Sequence, residues 1–384
     1  MKYFDTSLRS RSVLHPALPS VLIWLAAGCS GGTSDSSSER PASSAAELSA
    51  VTRSACSTAP THSSQPIRSD LTTSWNNWSS TTVTIYPSTG SSFGWGPAYT
   101  NGGWDDRSKS AAGDFNGDGI FDIATIWNNG GTATIAVRLG TGTAFTVATW
   151  SDGANTFRDS DVWLPGDFNG DGLVDLANVE LDGARTGMRV FLSTGSSFEY
   201  SPWWLGGSSY DLGEQRYVVG DFDNDGRADI FGTSPNYNFI WWSTGSQFSE
   251  ATAYNIAPFD ASARWLAGDF TGDGRSDLAE VWKEGDKARV AVYPSTGNML
   301  HPFTGWTQWD NSGGGWIDDA NANWTAGDFD GDGKTDLATA WNLNEQTVLT
   351  VRRSNGSSFV PQEWLNPAGG WAPSTQWCAG KFTR

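Results

Sequence analysis

Histidine, cysteine and methionine are all scarce in this sequence, with three residues of each in 384. His15 and His62 lie in an N-terminal segment that the composition separates from the folded region, so His301 stands alone in the remainder. No Cys–His pair is therefore expected to act as nucleophile and base. A glycosidase that uses two carboxyl groups is not excluded by these absences.

Basic residues are also few, and no stretch has the periodicity of a long amphipathic helix. The 24 Lys and Arg residues face 42 Asp and Glu, which gives a formal net charge of −18. Such a charge repels nucleic acid and anionic membrane surfaces, so we expect no nucleic-acid partner. The 22 Trp and 45 Gly residues, with Thr- and Val-rich runs between turns, favour short β-strands.

The N-terminus has the pattern of an export signal. Lys2 and Arg9 precede an apolar run that ends at Cys29 and is too short for a stop-transfer span. The small residues before Cys29 resemble a bacterial lipobox, which implies a signal peptide over 1–28 and lipidation of Cys29. Ser30 resembles no inner-membrane retention signal, which points to the outer membrane of the bacterial envelope. Cleavage and secretion is the alternative, and the membrane is a partner only through the lipid.

Residues 29–66 are rich in Ser, Ala and Thr and have too few large apolar side chains to fold, so we predict a flexible tether. With Cys29 assigned to the lipid, Cys56 and Cys378 remain. Export places them where disulfides persist, and we predict a Cys56–Cys378 bridge, with two free thiols as the alternative.

An acidic loop recurs along the rest of the chain. Five segments align without gaps and share Asp at the first, fifth and ninth positions with Gly at the sixth. Their first residues are Asp114, Asp167, Asp221, Asp269 and Asp328, at spacings of 53, 54, 48 and 59 residues. Self-similarity at this period is typical of repeat architectures such as propellers.

A second pattern occurs six times against five loops. It is a β-rich run followed by Ser/Thr-Thr/Asn-Gly and, in most copies, an aromatic residue, as in 83–93 and 349–359. The two chain ends supply the missing loop, because 376–384 aligns with 264–272 and 68–71 with 275–278. We predict an all-β, six-bladed β-propeller of four-stranded blades over residues 67–384, closed by N- and C-terminal strands that share one blade.

The acidic loops have the ligand chemistry of calcium, which takes several hard oxygen donors. Alternate side chains of a tight loop point inward, position seven offers its carbonyl, and Gly takes the strained backbone angle. The proposed ligands at positions one, three, five, seven and nine are Asp114, Asn116, Asp118, Ile120, Asp122; Asp167, Asn169, Asp171, Leu173, Asp175; Asp221, Asp223, Asp225, Arg227, Asp229; Asp269, Thr271, Asp273, Arg275, Asp277; and Asp328, Asp330, Asp332, Lys334, Asp336.

We expect about five structural Ca²⁺ ions, because the loops hold 17 of the 42 carboxylates and would repel one another without cations. An EF-hand is excluded, since it needs Glu at position twelve and flanking helices. Thr271 predicts the weakest affinity in the fourth loop. Lys381 replaces the first Asp of the split loop, and we expect its ammonium to pair with Asp70 and no metal to bind there.

These loops resemble the FG-GAP/VCBS repeat family, the calcium-loop propeller repeat of integrin α chains and many bacterial surface proteins. The resemblance covers about residues 67–384 and implies a propeller with Ca²⁺ in a hairpin of each blade. It also implies adhesion or ligand binding more often than catalysis, and some members are lectins that hold sugars between adjacent blades. Six blades instead of the usual seven weaken any transfer of particular ligand residues.

Aromatic residues recur before each loop, among Gly and Asn, where flat rings can stack on sugar faces. Packing of blade against blade is the alternative role. The candidates for ligand binding are Trp95, Trp104, Trp150, Phe157, Trp204, Tyr210, Tyr254, Phe259, Trp309, Trp316, Trp364 and Trp371.

The sequence favours a binding protein over an enzyme, because no singular acid lies in an insertion large enough to build a cleft. We expect a calcium-stabilised, monomeric surface protein that binds a glycan or another cell-surface ligand. The alternatives are a polysaccharide lyase or glycosidase, and an integrin-like protein–protein adhesion module.

Overall fold

All regular structure in the described residues is β-strand. The computed structural model describes residues 68–383, apart from 79, 104–106, 183–184, 206–215, 234–237, 250–251, 255–262, 285–286, 300–301, 306, 311–321 and 371–374. The signal segment, the tether, Cys29 and Cys56 lie outside this range. Within it, the structure contains no helix of the length and apolar character needed to cross a membrane.

The strands are short and follow one another through tight turns. In chain order they are β1 Asp70–Asn77, β2 Ser80–Tyr86, β3 Ala98–Gly103, β4 Lys109–Gly113, β5 Asp122–Asn129, β6 Thr132–Gly140, β7 Phe145–Thr156, β8 Val162–Gly166, β9 Asp175–Asp182, β10 Arg185–Ser193, β11 Phe198–Leu205, β12 Arg216–Gly220, β13 Asp229–Thr233, β14 Asn238–Trp241, β15 Thr252–Tyr254, β16 Arg264–Gly268, β17 Asp277–Glu284, β18 Lys287–Tyr293, β19 Thr307–Asp310, β20 Ala322–Gly327, β21 Asp336–Leu343, β22 Gln346–Ser354, β23 Phe359–Leu365 and β24 Gln376–Gly380.

These strands form six antiparallel sheets of four strands, the blades of a propeller. Blades one to five are β4–β7, β8–β11, β12–β15, β16–β19 and β20–β23. The sixth, here called the seam blade, has the order β24-β1-β2-β3. Each first strand contacts the first strand of the next blade, and β24 contacts both β20 and β4, so the inner strands close into a ring. The predicted six-bladed fold is confirmed.

The seam joins the two ends of the described chain. β24 pairs antiparallel with β1, from Asp70 opposite Gly380 to Ser74 opposite Gln376. Cys378 is buried on β24, whereas Cys56 lies outside the described residues, so the bridge between them stays a prediction. The predicted sharing of one blade by both ends is confirmed.

Hydrophobic cores lie between the blades. Six clusters of buried residues are present in the described range, and each takes its members from two adjacent blades. A Phe at the second loop position contributes to each cluster and is at most 1% exposed. These residues are Phe115, Phe168, Phe222, Phe270, Phe329 and Phe382. Burial of a side chain of this size stabilises the fold by about 1.5–3 kcal/mol.

Glycine at the end of each inner strand permits the close approach of neighbouring blades. A Cβ atom on Gly268 would lie 2.5 Å from Cγ2 of Thr335, and one on Gly113 would lie 2.5 Å from Cγ1 of Val174. Contacts this short force the backbone apart, so the glycines set the spacing of the ring.

Candidate functional site

Each acidic loop connects the first and second strands of its blade and is closed by hydrogen bonds to its first aspartate. In loop one, Oδ1 of Asp114 accepts from the N–H groups of Gly117 at 2.7 Å and Asp118 at 3.1 Å. Oδ2 accepts from the N–H of Gly119 at 2.8 Å. The two glycines have φ values of 76° and 81°, a region that other residues rarely adopt. The same closure is found in loops two, four and five.

The ninth residue of every loop is a buried aspartate that ties the loop to the third strand. In loop two, Oδ1 of Asp175 accepts from the N–H of Ser193 at 2.8 Å, and Oδ2 accepts from the N–H of Phe168 at 3.2 Å. Burial, with a smaller contribution from nearby loop carboxylates, raises the pKa of Asp122 to about 7 and the pKa of Asp175 and Asp336 to about 8. A divalent cation would oppose both effects because it favours the ionised form.

The donor set of the loops fits a hard divalent cation. In loop three, one carboxylate oxygen each from Asp221, Asp223 and Asp225 lies within 4.8 Å of the others, and loop five repeats this with Asp328, Asp330 and Asp332. Oxygen atoms bound to one Ca²⁺ at about 2.3–2.6 Å lie within this separation of one another. In these two loops three carboxylate oxygens converge, and the residue at position seven is charged. This convergence is the observation that fits a calcium ion.

Three loops have a basic residue at position seven. The side chains of Arg227, Arg275 and Lys334 form ion pairs with the position-five carboxylates, and the Lys334 Nζ to Asp332 Oδ2 distance is 2.7 Å. Loops one and two have Ile120 and Leu173 instead. The position-seven side chain therefore neutralises part of the loop charge in blades three to five.

Loop four differs from the others at its third position. Oδ2 of Asp277 accepts from the N–H of Thr271 at 2.9 Å, whereas the other complete loops use the Phe at position two. The lower affinity predicted for this loop remains a prediction.

Of the loop aspartates, the split loop at the seam keeps only the ninth, Asp70, which is buried. Oδ1 of Asp70 accepts from the N–H of Ser88, and Oδ2 accepts from the N–H groups of Phe382 and Thr383 and from the Thr383 hydroxyl. The expected ion pair with Lys381 is wrong, since none joins the two residues in the described range. The backbone of the chain end saturates the carboxylate, which the sequence alignment alone does not show.

The six loops are joined to one another by hydrogen bonds. The N–H at position eight of each loop donates to the carbonyl at position one of the preceding loop, at distances of 2.6–3.0 Å. The donors and acceptors are Phe121 and Lys381, Val174 and Asp114, Ala228 and Asp167, Ser276 and Asp221, Thr335 and Asp269, and Ser69 and Asp328. The loops thus form a continuous circuit on one side of the ring.

Serine side chains brace this circuit in five blades. Ser193 Oγ donates to the carbonyl of Phe115 at 2.6 Å, and Ser243 Oγ donates to that of Phe168 at 2.5 Å. Ser88, Ser295 and Ser354 repeat the contact. Blade one has Gly140 at this position, where a Cβ would lie 2.5 Å from the Phe121 carbonyl oxygen.

Most of the described aromatic candidates are packed between blades. Trp150, Trp309 and Trp364 are at most 7% exposed, and their ring centroids lie 5.0–5.2 Å from Phe198, Phe359 and Phe93 of the next blade. Phe157 is also buried. Trp104, Tyr210, Phe259, Trp316 and Trp371 lie outside the described residues, as do the side chains of Trp204 and Tyr254.

The sequence reasoning missed Trp203, which is 4% exposed and packs on Phe248 of the next blade. Like Trp150, Trp309 and Trp364, it occupies a β-bulge of the outer strand. A fixed spacing was the available signal, because Trp203 follows Phe198 by five residues, as Trp150 follows Phe145.

Trp95 is the described candidate whose ring is open to solvent, with 61% of its surface exposed. Its centroid lies 5.8 Å from that of Tyr86, which in turn stacks on Trp377 at 5.8 Å. The Tyr86 hydroxyl donates to the carbonyl of Ala368 at 3.0 Å. A buried aromatic pair therefore supports the exposed ring from behind.

Blade two contains a buried charged cluster that the sequence did not reveal. Glu180 is fully buried and forms ion pairs with Arg158 at 2.9 Å and with Arg189. Asp161 and Asn178 are also fully buried, and burial raises the pKa of Asp161 to about 6. The equivalent of Glu180 is Trp75, Trp127, Trp282 and Trp341 in four other blades, so blade two departs from the repeat.

A closed ring of six four-stranded blades with five acidic hairpins defines a β-propeller with repeated candidate cation sites. Residues 167–232 and 221–280 match the model of the FG-GAP-like repeat. This part of the chain is similar to FG-GAP-like repeats, as the repeated loops predicted.

The chain is similar to several solved structures. A lectin of Agrocybe aegerita described as recognising non-reducing terminal N-acetylglucosamine is 16% identical, with a TM-score of 0.55 over 83% of this chain and 87% of the lectin. The Aleuria aurantia lectin is 12% identical, with a TM-score of 0.45 over 80% of this chain and 100% of the lectin. The rhamnogalacturonan lyase YesW is 13% identical, with a TM-score of 0.31 over 78% of this chain and 60% of the lyase. No curated protein matches the chain significantly.

Proposed function

We propose that this chain is a calcium-stabilised surface protein that binds carbohydrate. The observation that carries the proposal is Trp95, an exposed indole ring on a rigid aromatic support. Such a ring can stack on the C–H face of a sugar, which removes apolar surface from water on both partners.

The support behind Trp95 favours a binding role over chance exposure. Tyr86 is 6% exposed and its hydroxyl is satisfied, so it cannot easily move away from the indole. A Cβ at Gly369, whose φ is 104°, would lie 3.5 Å from Cη2 of Trp95, so the connection after β23 also limits the ring. Preorganisation of this kind reduces the entropy lost on binding.

Calcium has a structural role in this proposal. The loops connect the first and second strands of each blade, and in loops three and five three carboxylate oxygens converge on one another. Ions in the loops would remove the repulsion between these groups and stiffen the ring, as we propose for an exported and lipid-anchored protein. The Agrocybe aegerita lectin supports the proposal only as a propeller of the same fold that recognises a sugar.

A glycan array with the calcium-loaded full chain tests the function. We expect binding to a defined set of glycans, and the Trp95→Ala variant is expected to lose about tenfold or more in affinity through the lost ring contact. The matched control is Trp78→Ala, which removes an even more exposed ring, 95% accessible, at the tip of the β1–β2 hairpin.

Two outcomes would contradict the proposal. Failure of the wild-type chain to bind any glycan would favour protein–protein adhesion, and equal binding by Trp95→Ala and wild type would remove the proposed site. Cleavage of released oligosaccharides by the wild-type chain would instead indicate a polysaccharide-active enzyme.

A further inference from the structure

A cavity of about 300 Å³ lies beside loop five. Loop five contributes Asp330, Asp332 and Lys334 to its wall, and Arg353 and Asn355 come from the end of β22 and the turn that follows. The cavity therefore combines two carboxylates, two cations and an amide at the edge of a loop whose acidic oxygens converge.

Arg353 breaks the repeat at this place. The residue before the bracing serine, or before Gly140 in blade one, is apolar in the other five blades: Pro87, Leu139, Leu192, Trp242 and Pro294. This guanidinium borders the cavity, and packing alone does not require it, since apolar residues satisfy the packing requirement at the equivalent positions.

Arg353 has donor capacity left over. Its Nη1 lies 3.7 Å from Oδ2 of Asp330, which is long for a charge-assisted hydrogen bond. Its Nε is buried and has no hydrogen-bond partner within the described residues. The Arg353 side chain is 39% exposed, so the outer face of its planar guanidinium is open for bidentate capture of a carboxylate.

The open coordination positions of an ion in loop five, together with the guanidinium of Arg353, select the ligand. Loop five has four carboxylates, Asp328, Asp330, Asp332 and Asp336, which Lys334, Arg353 and one divalent ion would neutralise. Ca²⁺ takes six to eight oxygen ligands, so an ion next to a solvent-filled cavity has room for an oxygen from outside the protein. An anionic oxygen group that enters the cavity meets the ion on one side and the guanidinium on the other.

We propose that this cavity binds the carboxylate of an acidic sugar, held between a calcium ion in loop five and Arg353. The inference rests on the proposed carbohydrate function and names a substrate class for it. Lys334 remains engaged with Asp332 at 2.7 Å and sets the loop charge without contacting the sugar.

The test compares trigalacturonic acid with its methyl ester by titration calorimetry on the calcium-saturated full chain. We expect the acid to bind and the ester to bind about tenfold to a hundredfold more weakly, because a charge-assisted pair is lost. Arg353→Gln is expected to weaken binding of the acid by a similar factor while calcium content and melting temperature stay unchanged. Arg289→Gln, which removes a guanidinium paired with Glu284 at the opposite end of β17 from loop four, is the matched control and is expected to bind as wild type.

Equal binding of the acid and the ester, or by Arg353→Gln and wild type, would overturn the inference. Inorganic sulfate that competes as well as trigalacturonate would make the cavity a general anion site and would also overturn it. If the acid does not bind but neutral glycans bind on the array, this inference fails while the carbohydrate function stands. If neither binds, both fail.

Discussion

At the scale of single residues, the positions that depart from the repeat carry more information than those that follow it. Gly, Asp and Phe recur in the loops because each blade needs the same turn and the same interblade core. Glu180 and Arg353 replace apolar residues of other blades, and each brings charge into a place the repeat keeps neutral. Charge at such positions needs a partner, which Glu180 finds in two arginines.

The two arginines that form ion pairs with Glu180 should contribute differently to the free energy of unfolding. Arg189→Met is expected to lower the free energy of unfolding by about 3–5 kcal/mol, because it removes a partner of a buried charge. Arg158→Met is the control and should cost about 0–1 kcal/mol, since its side chain is 38% exposed and water screens the pair. Urea denaturation measures both, and equal effects would contradict the assignment of the buried partner.

At the scale of strands and loops, the blades are coupled by a small number of repeated hydrogen bonds. The bracing serine at the end of the third strand reaches the loop of the preceding blade, while the ninth aspartate connects that strand to its own loop. A change in one loop is therefore transmitted to two blades. The bulged tryptophans of the outer strands add an apolar contact across the same interfaces, from the preceding blade to the next.

Removal of one bracing hydroxyl gives a direct measure of this coupling. Ser243→Ala is expected to lower the free energy of unfolding by about 1–2 kcal/mol, because the Phe168 carbonyl loses a buried donor. Thr244→Ala, next in the chain, removes an exposed hydroxyl bonded to the Gln247 carbonyl and should change stability by less than about 0.5 kcal/mol. Thermal unfolding of the two variants decides the point, and an equal loss in both would argue against a special role for Ser243.

The sequence predicted the elements because the repeat displays each of them several times. Six copies of one pattern and five of another define the blade, and the alignment of the chain ends defines the seam. Individual side-chain contacts were harder to predict from the sequence. The sequence pointed to Trp204, whereas the packed ring that the structure describes is Trp203, because a bulge shifts the alternation by one residue. The Lys381–Asp70 pair failed because backbone donors, which have no sequence signature, reach the carboxylate first. The sequence did not identify Arg353 as a site residue, because the cavity beside it forms only when loop five and the end of β22 come together in the fold.

At the scale of the whole molecule, the ring concentrates acidic groups on one side. Five ninth aspartates are fully buried, and four of them have a pKa raised to between about 6 and 8 by burial. We therefore expect stability to depend on pH, and we predict a linked dependence on divalent ions.

The melting temperature of the metal-free chain should fall as pH rises from 5 to 8. Folded-state pKa values above the unfolded value of about 3.9 mean that folding favours the protonated form, so this stability is present at low pH and is lost as pH rises through 6 to 8. Calcium favours the ionised form, and each ion should add about 2.7 kcal/mol at a hundredfold excess over its Kd.

Scanning calorimetry at four pH values with excess chelator or with CaCl₂ provides the measurement. The gap between the two melting temperatures should widen with pH, whereas MgCl₂ at the same concentration should restore less stability because Mg²⁺ requires a stricter geometry. A gap that does not change with pH, or elemental analysis that finds no calcium in the purified chain, would contradict the calcium assignment.

Pairing of β24 with β1 has a consequence for how the protein is made. The partners Asp70 and Gly380 are about 310 residues apart in the sequence, so closure of the ring requires a contact of very high sequence separation. Until these two strands pair, the faces that hold Leu71 and Phe121 have no cover, even if the other five blades have formed. A folding intermediate with an open ring is therefore expected to expose apolar surface, and pairing at the seam removes that exposure in a single step.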